Sequence, residues 1–247
     1  MRNFRAIIAI CGVSAFGAVG CSPQTAETYA ARIDREADND AALNALRETD
    51  PAFYGMLRGR ASSRLAGGAS SAEVRTEMMT EVRTYTLRQA PNVAAAPGLQ
   101  LMRVIETERD LIRQLQATDV TTCAAYAMRG LPVGYQPRGD ILALVNTAAT
   151  ARLAAAKAGR EKPVRRGDVT ADDGQALYAG MVAEGVPEAA TAALFDGSLS
   201  MHPARAQCDT TVAFYDVMLA LPPEGRQRVA AVVLTAAAAA VAAESGG

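Results

Sequence analysis

The chain has 247 residues, 25 basic against 26 acidic, for a formal net charge of −1. That balance argues against nucleic acid as a partner, since nucleic-acid binders carry a concentrated basic surface. Alanine supplies about a fifth of the residues and Trp is absent; alanine is the strongest helix former, so helices with tight small-residue interfaces are expected.

Arg2 and Arg5 open the chain, Ala6 to Phe16 is an apolar core, and Gly17-Ala18-Val19-Gly20 lead into Cys21-Ser22-Pro23. Charge, apolar core and small residues in that order describe a secretory signal peptide. With a cysteine directly after the small residues, Met1 to Cys21 resembles the signal of a bacterial lipoprotein. The four-residue box is then Ala18-Val19-Gly20-Cys21, with Ala18 where Leu is more usual. The resemblance implies diacylglycerol on the Cys21 sulfur, removal of residues 1–20, and fatty acylation (palmitate, for example) of the new amine. It implies nothing about the domain that follows. Ser22 is not the aspartate that often retains lipoproteins at the inner membrane, so the outer membrane is favoured. Three alternatives stay open: ordinary cleavage to a soluble periplasmic protein, an uncleaved anchor, and a buried N-terminal helix. The uncleaved anchor is short of the roughly 20 apolar residues that span a bilayer. Cleavage removes Arg2 and Arg5, taking 25 basic and 26 acidic residues to 23 and 26, a net of −3.

Cysteine parity agrees with export. Cys11 leaves with the leader and Cys21 is spent on lipid, so Cys123 and Cys208 remain as an even pair in an oxidising compartment. Joined, they close a loop of about 85 residues, worth roughly 4–5 kcal/mol in the chain-entropy view. Two buried free thiols are the alternative. No metal site is expected, because neither has a Cys or His neighbour and zinc wants four clustered ligands.

After a tether at 21–25, nearly every segment reads as helix. Residues 26–48 form one weakly amphipathic helix. Asp50-Pro51 starts the next, with Asp as N-cap and Pro at the first helical position, ending at Gly67-Gly68. Ser70 and Glu73 make a capping box ahead of a stripe at Val74, Met78, Val82 and Tyr85. Residues 90–98 (APNVAAAPG) read as a linker or hinge. Leu101, Val104, Ile105, Leu111, Ile112 and Leu115 recur at the helical period, with Glu106, Arg109, Asp110 and Arg113 on the outer face. A short helix at 119–129 carries Cys123, and 130–139 is a loop. Asp140 caps a helix through Leu153, and Gly159 to Asp168 is an exposed basic loop. Thr170 and Asp173 cap a helix ending at Gly185; Pro187 opens another to Phe195. Residues 203–221 carry Cys208, and 224–243 form an Ala-rich helix too weakly apolar to span a membrane. The expected fold is all-α, an irregular bundle of nine or ten helices, with an N-terminal half (26–117) and a C-terminal half (118–244) holding the disulfide. Helices 119–129 and 203–221 are predicted to lie side by side.

Chemistry is sparse. The one histidine, His202, stands before Pro203 at a helix edge, where a capping or loop role is ordinary. No serine elbow and no phosphate-binding glycine loop occurs, so no cofactor is implied. Asp172-Asp173 sit where they complement a helix dipole. Two Arg-Gly-Asp triplets, at 138–140 and 166–168, read as turns before capping aspartates rather than adhesion motifs. The 162–166 cluster (KPVRR) suits a solvated loop, with an anionic surface as the alternative. The expectation is therefore a non-enzymatic envelope lipoprotein with no catalytic residues, anchored through Cys21. It would serve as a scaffold or as an accessory subunit of an envelope protein complex. The alternatives are a periplasmic binding module for an apolar or lipid-like ligand and an enzyme working through carboxylates.

Overall fold

A computed structural model describes residues 25–132 and 134–245. Among these residues there are twelve α-helices and no strand. The chain is all-α, as the composition and the 3.6-residue periodicity require. The predicted signal and Cys21 lie outside the described residues.

Local chemistry places most helix starts. Thr25 accepts a hydrogen bond from the Thr28 amide and opens α1 (Ala26–Ala37). Asp40 caps α2 (Ala41–Thr49) through the Leu43 amide, while Asn39 closes α1 by donating to the Arg35 carbonyl. The single helix expected at 26–48 is thus two. The Asp38-Asn39-Asp40 run offers the backbone side-chain partners on both sides, which is the mechanism that makes these residues poor helix interiors. Asp50 caps α3 (Pro51–Ala66), and the Ser70–Glu73 capping box opens α4 (Ser71–Arg88), both as expected.

The segment expected to be a linker or hinge instead carries a short helix. Residues Ala90–Ala94 form α5, and Ala90, Val93 and Ala96 are buried. Pro91 stands in its first turn, where a missing N–H costs nothing. Gly159 explains the fit: a Cβ there would come within 1.8 Å of the Asn92 carbonyl oxygen. The backbones of α5 and α8 therefore meet through a glycine, and 90–98 is clamped. These two departures account for twelve helices where nine or ten were expected.

Helix α6 (Gly98–Thr118) is the axis, with all six predicted stripe residues buried. Only Asp119 separates it from α7 (Val120–Arg129), and its side chain caps the Thr121 and Thr122 amides. Helix α8 (Gly139–Glu161) packs on α6, α5 and α2. It follows Arg138, with Asp140 in its first turn rather than at the cap, and runs beyond the loop start expected at Gly159. Then come α9 (Ala171–Ala183), α10 (Glu188–Asp196), a 3₁₀ turn at Ser198–Met201, α11 (Ala204–Ala220) and α12 (Pro223–Ser245).

Three apolar clusters fill the bundle. One joins α6, α8, α9, α11 and α12 through Ile105, Met181, Met218 and Leu234. A second gathers Leu111, Ile112, Leu115, Cys123, Cys208 and Val212 where α6, α7 and α11 meet. The third, in α1–α4, stacks Phe53 on Tyr85 with ring centroids 3.9 Å apart. The inner face of α12 reaches the first cluster through Val229, Ala230 and Leu234. No helix among the described residues is long and apolar enough to cross a membrane.

Candidate functional site

The bridge between α7 and α11 is the first place where predicted site residues meet. Cys123 and Cys208 are joined as a disulfide, with Cα atoms 5.5 Å apart and both side chains fully buried. That spacing lies within the range a disulfide needs. The sharp turn at Asp119 folds α7 back along α6, and the predicted neighbours α7 and α11 do pack together.

One turn further along α7, Tyr126 enters a polar cluster that the sequence reading did not name. Glu108 stands on the core-facing stripe of α6, its side chain only 3% exposed. One carboxylate oxygen accepts from the Tyr126 hydroxyl. The other accepts from Arg152 Nε on α8 at 2.6 Å. Burial pushes the Tyr126 phenol well above its usual range, and the adjacent Glu108 carboxylate pushes it further. Tyr215 on α11 is raised for the same two reasons. Burial works against the charge on Arg152, but attraction to Glu108 outweighs it and the guanidinium holds its proton more tightly than usual. The signal for Glu108 was present: it lies seven residues after Leu101, four after Val104 and three before Leu111. A charge on a core stripe must be paired. Its partner, 44 residues away, could not be read from that pattern.

A second pairing sits where the starts of α9 and α12 meet, beside a shallow cleft of about 520 Å³ lined by Thr170, Asp172, Asp173, Pro222, Glu224 and Arg228. Asp173 closes the expected capping box with Thr170. It also accepts a two-pronged contact from Arg228, at 2.7 and 3.0 Å. The Arg228 guanidinium and the Thr170 amide hold the Asp173 carboxyl far below the usual carboxylate range. Asp172 stays exposed, so the two adjacent carboxylates do not converge.

The remaining predicted features resolve individually. His202 is half-buried outside α11, and its carbonyl accepts from the Gln207 side chain at 2.6 Å. Arg166, from the second Arg-Gly-Asp triplet, donates to the carbonyls of Ala94 and Ala96. That ties the basic loop to the end of α5. Among the described residues no group of His, Cys, Asp and Glu is arranged to hold a metal ion. Chemically, both buried carboxylates are already occupied: a substrate at Glu108 or Asp173 would have to displace an internal arginine.

No protein family, no curated protein and no solved structure matches the chain.

Proposed function

We propose that this chain is a non-enzymatic lipoprotein of the bacterial envelope. Lipid on Cys21 anchors it, and the helical bundle serves as a rigid scaffold or accessory subunit on the periplasmic side, at the outer membrane in preference to the inner. The observation that carries this reading is the Cys123–Cys208 bridge buried between α7 and α11. Such bridges belong to oxidising compartments, which is where a chain beginning with Arg2, Arg5, an apolar core and Cys21 is sent. The occupied state of Glu108 and Asp173 favours a structural role over carboxylate catalysis. Acylation on sulfur and amine supplies several chains, and more than one chain is what stable anchoring needs.

The test is metabolic labelling of the full-length protein with radioactive palmitate in a bacterial host, followed by membrane fractionation in high salt. Wild type is expected to take up label and to stay with the outer-membrane fraction. Cys21→Ala is expected to do neither, while keeping its Cys123–Cys208 bridge on a non-reducing gel. A wild-type protein that stays unlabelled, or leaves the membrane in salt, overturns the anchored reading.

A further inference from the structure

Two patches of the surface carry charge that the fold does not neutralise, and they are opposite in sign. The first lies on α9, α10 and the 3₁₀ turn. Between Arg166 and Arg205 the sequence has no Lys or Arg, yet beyond Asp168 at the edge of the preceding loop it has Asp172, Asp173, Glu184, Glu188 and Asp196. Asp173 is met by Arg228, and Asp196 by Ser198 and His202. Asp172, Glu184 and Glu188 form no ion pair among the described residues. The same segment exposes Tyr178 and Phe195, 37% and 49% accessible, with ring centroids 6.0 Å apart. Two partly exposed rings side by side make an apolar face at the surface.

The second patch is the strap that follows α8. Lys162 and Arg165 are exposed and form no ion pair among the described residues. Val164 stands between them, 40% exposed, and its amide donates to the Ala95 carbonyl at 2.7 Å. Arg166 grips the Ala94 and Ala96 carbonyls, and Arg160 grips the Thr49 carbonyl and the Gln89 side chain. The strap is therefore held in shape, with Arg160 and Arg166 bonded to neutral acceptors. Glu161 and Asp168, both exposed, are the carboxylates of this segment. Elsewhere the same chain pairs its charges between helices, as in Arg58–Asp34, Arg64–Glu77 and Arg113–Asp216.

We propose that these two patches cover one another across two copies of this chain. The Tyr178–Phe195 face of one copy seats on the 160–166 strap of the other, with Lys162 and Arg165 toward Glu184 and Glu188 and Val164 against the rings. Apolar centre and charged rim are the ordinary anatomy of an interface, and the opposite potentials select partner and register. A mutual exchange of strap and acidic face between two copies closes as a twofold pair. The pairing does not depend on the lipid anchor.

The test places the photo-cross-linker p-benzoylphenylalanine at position 195 of the full-length protein and irradiates intact cells. The expected product has twice the monomer mass, with the link falling in the 157–166 peptide of the second copy. Reversing the strap (Lys162→Glu with Arg165→Glu) or the acidic face (Glu184→Lys with Glu188→Lys) is expected to lower the yield roughly tenfold, as fits close interfacial charge pairs. Co-expressing the two reversed variants under different tags is expected to restore a mixed pair. All four positions are exposed, and a retained Cys123–Cys208 bridge reports the fold of each variant. Cross-linking to a different protein, no cross-link at all, or reversed variants that pair as well as wild type would each overturn the proposal.

Discussion

Glu108 shows how a single side chain can be decided by partners far away in sequence. Its carboxylate is buried, so the cost of removing it from water has to be met by Tyr126 and Arg152 together. Removing one partner leaves a charge stranded, which in buried pairs costs about 3–5 kcal/mol. Arg152 keeps nearly a third of its side chain exposed, so solvent screening brings the expected loss for Arg152→Met below that range, to about 2–3 kcal/mol. The double replacement Glu108→Leu with Arg152→Met removes both charges and is expected to recover most of that loss. Urea unfolding of the two variants beside wild type checks this; a double variant no more stable than Arg152→Met would show that the pair is not what Glu108 requires. Asp50, by contrast, was legible at once. It sits beside Pro51, its carboxylate caps the Phe53 amide at 3.0 Å, and its other oxygen accepts from Tyr85. The cap is a contact over three residues; the tyrosine contact spans 35.

Among the helices, α7 depends most on the bridge. It is ten residues long, follows α6 after one residue, and is covered mainly by α6 and α11. Isolated helices of that length are marginal in water. The Cys123–Cys208 bond therefore does for α7 what a longer apolar face would otherwise do. Its closed loop is 85 residues long, and opening it is expected to cost about 4–5 kcal/mol. For a domain of this size that corresponds to a fall in Tm of roughly 10–15 °C. Thermal melting with and without reductant measures it, and a shift of a degree or two would mean that packing alone holds α7. Helix α5 teaches the opposite lesson. Its sequence, rich in Pro and Ala, reads as a linker, yet Ala90, Val93 and Ala96 are buried at intervals of three. Small residues give a weak apolar signal in sequence and a strong packing effect in the fold, because they let backbones approach, as Gly159 does at Asn92.

Across the molecule, tyrosine hydroxyls join the second and third clusters to acidic partners. Tyr54 donates to Asp34 and Tyr85 to Asp50, and burial with these carboxylates raises each phenol to about 12. Tyr126 and Tyr215 beside Glu108 are raised as well. A folded-state pKa above the unfolded value of about 10 favours folding while the proton is on. That contribution is intact below pH 10 and is lost as pH climbs through about 12. Four of the seven tyrosines are therefore expected to ionise only as the bundle opens. Absorbance of tyrosinate at 295 nm, followed beside helical circular dichroism, tests this: all seven ionising before helix is lost would contradict it.

The sequence by itself determined the helical class, most helix starts, the core stripe of α6 and the pairing of Cys123 with Cys208 as a candidate. The first three rest on information held within a few residues, a cap or a period, and the last on a count of cysteines along the chain. Only the tertiary structure decided that α5 is clamped, that Glu108 lies beside Arg152, and that Asp173 belongs to Arg228. Those outcomes depend on which helix faces meet, and burial and charge compensation are properties of that meeting rather than of any one segment.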